Sequence, residues 1–260
     1  MSLEYAQARI QSRLGDRPNE ALWAELSSAR AFAAYLEAVR GSRMRAWVAG
    51  IGAASDLHQV DGNLHDRFRE HIREVARWMP AEWRPAVLWL LRLFDLAAIG
   101  HLLAGRAPLP WMSRDEGLRA VLAAQSPSDM LLAVRVLVNT RAQHGATVAA
   151  GSGISPARLR AAWRAEWIRR WPPGERRGSC GVRSVLETFE QHLVRFGASG
   201  VAGSWRERAL LEYALRKLFC RLTLDAGACF AYLGLVALDL ERLRAELVRR
   251  AVGLPLREAA

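Results

Sequence analysis

The spacing of the apolar residues most constrains what this chain can fold into. Leu64, Phe68, Ile72, Val75 and Trp78 recur at three- and four-residue steps, and Leu159, Trp163, Trp167 and Trp171 recur every four. Such steps put side chains on one face of an α-helix, whereas a half-buried strand needs alternation at every second residue. No stretch shows strand-type alternation, so an all-α fold is expected.

Punctuation residues divide the pattern into helices over 3–14, 19–26, 29–39, 43–51, 64–79, 81–104, 205–222 and 226–252. Gly15-Asp16-Arg17-Pro18 and Pro80 act as stops, and Gly253 with Pro255 closes the last helix. Ser126-Pro127 and Ser155-Pro156 each set a capping hydroxyl before a proline suited to the first turn. Pro172–Gly181 reads as a basic loop and Gly197–Ser204 as a glycine-rich one, with Ser204 as a cap. Gly105–Trp111, holding Pro108 and Pro110, is the expected boundary between N-terminal helical units (1–110) and C-terminal ones (111–260).

Apolar residues make up 51% of 260, enough for a sizeable core. The net charge of +11 would attract nucleic acid, anionic lipid or an acidic protein. Lys217 is the only lysine among 37 basic residues. Arginine grips carboxylates with two parallel hydrogen bonds, which suits fixed protein contacts; a coding bias would give the same composition. Cys180, Cys220 and Cys229 lack paired spacing, as expected of free thiols in a reducing compartment. Neither a signal peptide nor a membrane-spanning run is expected, because Pro85–Leu103 is broken by Arg92, Asp95 and His101.

No catalytic constellation emerges, and no cofactor or metal is expected. His58, Asp61, His65, Asp66 and His71 are metal-type residues, but His65 and His71 point about 120° apart on a helix, so a solvated polar segment is favoured. Gly151-Ser152-Gly153 lacks the Lys-Ser/Thr of a phosphate loop. Cys180 has no evident histidine partner. The stripe Trp163, Trp167 and Trp171, interleaved with Arg160, Arg164, Arg169 and Arg170, could stack on bases. A buried helix face is the expected reading, with a helical nucleic-acid binder as the alternative function. Asp95 and Asp239 are lone acids on apolar helices, expected to pair with arginine.

The helix ends are self-similar. Phe94-Asp95-Leu96, Ile99, Leu103, Gly105 and Pro108 parallel Leu238-Asp239-Leu240, Leu243, Leu247, Gly253 and Pro255. The opening Tyr5-Ala6-Gln7-Ala8-Arg9-Ile10 with Ser12-Arg13-Leu14 resembles the first helix of the C/d family of central-stalk proteins in V/A-type rotary ATPases. Tyr232-Leu233 through Asp239, Leu243-Arg244 and Gly253-Leu254-Pro255 resembles that family's closing helix, and Trp89–Gly105 its internal copy. Three residues after each acid, where the family usually has Asn, this chain has Ala98 and Arg242.

The resemblance implies repeated helical bundles forming a funnel, with the middle family unit reduced. It implies a non-catalytic subunit on the cytoplasmic, inner face of the membrane. Its partners would be the central-shaft subunits and the membrane rotor ring, held through protein contacts, in a machine moving protons or sodium. Tyr5, Arg9, Arg13, Asp95, Tyr232, Asp239 and Arg244 are then the candidate interface residues.

Overall fold

The computed structural model describes residues 1–109, 112–114, 118–124, 155–176 and 180–253, and among them there are helices and turns but no strand. Ser126-Pro127, the Gly151–Ile154 loop and Pro255 lie outside the described residues. The helices are α1 (Leu3–Gly15), α2 (Glu20–Ser27), α3 (Phe32–Arg40), α4 (Leu57–Trp78), α5 (Arg84–Trp89), α6 (Leu93–Leu103), α7 (Arg119–Leu122), α8 (Pro156–Arg169), α9 (Gly181–Arg221) and α10 (Ala226–Ala251).

The chain forms two compact units cut differently from the expected 1–110 and 111–260 division. One joins Met1–Ala81 to Arg177–Ala260, and the other is Glu82–Arg176. The boundary expected at Gly105–Trp111 therefore falls inside the second unit. Proline punctuation marks a chain break, not the return of distant segments to one core.

In the first unit α10 is the hub, packed on α9, α4, α1 and α3. Every residue from Ala226 to Val236 is buried, so its first three turns are enclosed on all sides. α4 starts at Leu57, seven residues before the expected Leu64. Asp56 accepts from the Gln59 backbone while the Gln59 side chain accepts from the Asp56 N–H, and this reciprocal cap pulls the start forward. The helix expected over 43–51 is only a 3₁₀ turn, Arg45–Val48, followed by Gly50 at φ 96°.

α9 reverses on itself at Gly200 (φ 63°, ψ −175°), a backbone conformation open to glycine. Arg195 pairs with Glu207 at 3.2 Å, and Arg208 lies 5.1 Å over the Phe196 ring. Residues twelve apart on a straight helix would be separated by about 18 Å, so these contacts require antiparallel halves. The loop expected over 197–204 shrinks to that one residue.

A turn then leads into α10. Asp225 caps two helices together, accepting from Gly227 N–H (2.6 Å) and from Gly181 N–H at the start of α9 (3.1 Å). Asp225→Ala is expected to cost about 2 kcal/mol, the upper range for one lost cap, because two helix starts lose their acceptor. Urea unfolding measures it; a loss under about 0.5 kcal/mol would show that the double cap contributes little.

The second unit is built on tryptophan. Ser155 caps α8, and Leu159, Trp163, Trp167 and Trp171 are all buried. Trp89 donates its indole N–H to Trp163 O (3.1 Å), Trp167 donates to Ala86 O (3.0 Å), and Arg170 lies 4.1 Å over the Trp89 ring. The single helix expected over 81–104 is α5 and α6 joined by a 3₁₀ turn at Leu90–Arg92. By length and composition alone, Arg84–Leu103 is apolar enough to cross a membrane. Here Trp89 and the Ala86 carbonyl are engaged by α8.

Candidate functional site

Two of the three segments that carry the resemblance, α1 and α10, meet beside a cleft of about 540 Å³ within the first unit. Arg17 forms its floor. The Gly15–Pro18 stop turns the chain there, and the Arg17 side chain, 5% exposed, reaches Asp239 on α10. Its Nε donates to Asp239 Oδ2 (2.6 Å) and one Nη to Oδ1 (2.8 Å), to Glu212 (3.2 Å) and to Leu235 O (3.3 Å). Burial works against the Arg17 charge, but the Asp239 and Glu212 carboxylates outweigh it and hold the guanidinium above its ordinary pKa. Burial also pushes the Asp239 carboxyl up to about 6, with the Arg17 hydrogen bonds pulling the other way.

One wall is aromatic. His71 of α4 shares a 3.0 Å hydrogen bond with Tyr232 OH and meets the rings of Trp47, Trp78 and Tyr232 edge-on. Burial lowers the His71 pKa, partly countered by the neighbouring Glu74 carboxylate. The mouth is charged. Arg13 pairs with Glu74 (3.1 Å), Arg67 with Glu70 (2.9 Å), and exposed Arg43 and Arg77 stand at the rim. Burial pushes the Tyr232 hydroxyl and the Cys229 thiol upward, away from the ionised forms a nucleophile needs. Among the described residues no three His, Cys, Asp or Glu converge as a metal site.

The expected interface residues are not one cluster. Arg13, Tyr232 and Asp239 line the cleft. Arg9 lies over Trp78 at 5.2 Å, Tyr5 is exposed on α1, and Arg244 grips Asp61 with two hydrogen bonds (2.7 and 3.0 Å). Asp95 is buried in the second unit, paired with Arg92 (3.1 Å). No known family model matches the chain, and no curated protein matches it. The cleft residues themselves therefore carry the functional reading.

Arg17, His71 and Glu74 belong to the site but not to the expected interface set. Arg17 reads only as part of a helix stop, and nothing local announces a partner 222 positions later. Arg242, where the resembled family has Asn, clamps α2 instead: it binds Glu20 through both carboxylate oxygens (2.7 and 3.2 Å) and covers Trp23 at 4.6 Å.

Proposed function

We propose that this chain is a non-catalytic scaffold component of a V/A-type rotary ATPase, coupling the central shaft to the membrane rotor ring from the cytoplasmic side. One observation carries the reading. The first and last helices, two of the three segments that bear the resemblance, are packed together and locked by the buried Arg17–Asp239 pair beside a recess of mixed charge. A part that transmits torque needs stiffness, and helices fixed by close packing and bidentate Arg–carboxylate pairs supply it. The recess presents arginines and carboxylates at its rim with an aromatic wall behind, a seat for the polar and apolar groups of a protein partner. An Arg-rich surface near anionic headgroups adds about 1 kcal/mol per well-placed side chain. The nucleic-acid alternative loses its platform, since Trp163 and Trp167 on α8 and Trp171 just beyond it are all buried.

A tagged chain extracted gently in mild detergent from its native membranes should bring down shaft and ring subunits in fixed stoichiometry. Glu substitution at Arg43 and Arg77 should weaken that association without altering helicity. Recovery of a monomer free of rotary components would end this reading.

A further inference from the structure

Two arginines at the mouth of the cleft carry charge that the protein does not answer. Of the five that line the recess, Arg13 pairs with Glu74, Arg67 with Glu70 and Arg17 with Asp239. Arg43 leans only on main-chain carbonyls, Gly15 O (3.3 Å) and Arg17 O (3.4 Å), and neither it nor Arg77 meets a carboxylate among the described residues. We infer that this cleft binds a small, doubly charged organic anion, its phosphate or carboxylate oxygens held by Arg43 and Arg77 and its apolar body against the wall of Trp47, His71 and Tyr232.

Unpaired arginines on an open surface are screened by water and salt. These two share one concavity of about 540 Å³, inside the roughly 300–1,000 Å³ range of small-ligand sites, whose low-dielectric walls strengthen their pull on an anion. The floor adds a further donor. Nε and one Nη of Arg17 make four hydrogen bonds, while the other, Nη1, has no acceptor. That nitrogen is closed to water, so solvent cannot supply one; an anion on the floor acts on it through its field, across protein of low dielectric.

The wall decides the body of the ligand. Tyr232 OH and one His71 nitrogen are taken up with each other (3.0 Å), and the other His71 nitrogen faces Glu74 (3.5 Å). With those polar atoms engaged, the two rings offer carbon to a neighbour. A bare phosphate would leave that surface wet, whereas a ring or alkyl body covers it. Carboxylates limit the charge: Asp16, Glu70 and Glu74 also line the recess and repel an anion carrying more than Arg43 and Arg77 neutralise.

The cleft is the one that the rotary reading gives to a protein partner, but the inference does not rest on that reading, and the isolated chain tests it. In calorimetric titrations at low salt, adenosine monophosphate and phthalate should each bind saturably with Kd at or below about 1 mM. Adenosine, which lacks the anion, and inorganic phosphate, which lacks the body, should bind at least about tenfold more weakly. Arg43→Gln and Arg77→Gln should each weaken adenosine monophosphate at least about fivefold with unchanged circular dichroism, because both side chains are exposed. Arg73→Gln, at an exposed arginine of α4 outside the cleft, should bind like the parent. Saturable binding of only one of the two organic anions supports the site and names its group as phosphate or carboxylate. The inference is overturned if neither binds up to about 10 mM, or if the Arg43 and Arg77 variants bind no worse than Arg73→Gln. It is equally overturned if inorganic phosphate matches adenosine monophosphate, which would mean that the aromatic wall takes no part. Failure here leaves co-purification with shaft and ring subunits untouched, and recovery of a free monomer leaves this binding untouched.

Discussion

Replacing Arg17 with Met should destabilise the first unit by about 3–5 kcal/mol, the range for removing one partner of a buried ion pair. In a unit of this size that lowers the melting temperature by roughly 10 °C. Three kinds of contact are lost together: two hydrogen bonds to Asp239, one to Glu212 and one to the Leu235 carbonyl. Asp239 is left buried with its carboxylate unanswered. It can escape by taking a proton, and burial already pushes its carboxyl up to about 6 with the arginine present.

Without Arg17 that carboxyl rises further, which gives the deficit a pH signature. A carboxyl whose folded pKa exceeds its unfolded value contributes stability that is complete below the unfolded pKa and is lost as pH rises through the folded one. The variant should therefore be most impaired near pH 8, and its deficit should narrow by about 1–2 kcal/mol at pH 5. Adding Asp239→Asn removes the stranded charge, so the double variant should recover much of the loss and flatten the pH dependence. Urea unfolding at the two pH values checks this. A deficit under about 1 kcal/mol, equal at both, would mean that the pair does not lock α1 to α10.

The legible parts of the fold were those written in long, regular faces. The Trp163–Trp167–Trp171 stripe and the Val75–Trp78 end of α4 are buried as the spacing requires, and all-α character followed from the same periodicity. Phe68, on the same stripe, is only half-buried. Local hydrogen bonding moved the boundaries. The Asp56–Gln59 box extends α4 toward the N-terminus, while over 43–51 Ser42 Oγ accepts from Met44 N–H and Gly50 turns the chain, leaving one 3₁₀ turn. The glycines and serines over 197–204 suggested a loop, yet helical geometry suits all but Gly200. Long-range pairings were the least legible. The arginine excess hinted at fixed contacts, and Arg242 to Glu20, Arg244 to Asp61 and Arg250 to the Ala29 carbonyl are such contacts. Which acid answers which arginine depends on the packing of α10, and no local spacing encodes that.

Gly227→Ala should be nearly as damaging as the loss of Arg17, at about 3 kcal/mol, although it adds one methyl group. A Cβ at Gly227 would lie 2.5 Å from the Gly181 carbonyl carbon and 2.8 Å from its oxygen. Both are backbone atoms, so no rotamer change relieves the overlap, and overpacking of this kind falls at the upper end of its usual range. The start of α9 would have to move off α10, yet Asp225 ties the two starts together through Gly181 and Gly227 N–H. Separation would thus sacrifice the shared cap as well.

A control lies in α4, where a Cβ at Gly62 meets no atom within 4 Å. Gly62→Ala should stabilise by up to about 0.5–1 kcal/mol, because alanine narrows the unfolded ensemble and favours helix. Denaturant unfolding of the two variants beside the parent isolates the effect of contact from that of propensity. If both alanines stabilise, the α9 and α10 starts do not touch as closely as described. If Gly227→Ala alone is costly, that junction is what fixes the α9 hairpin against α10.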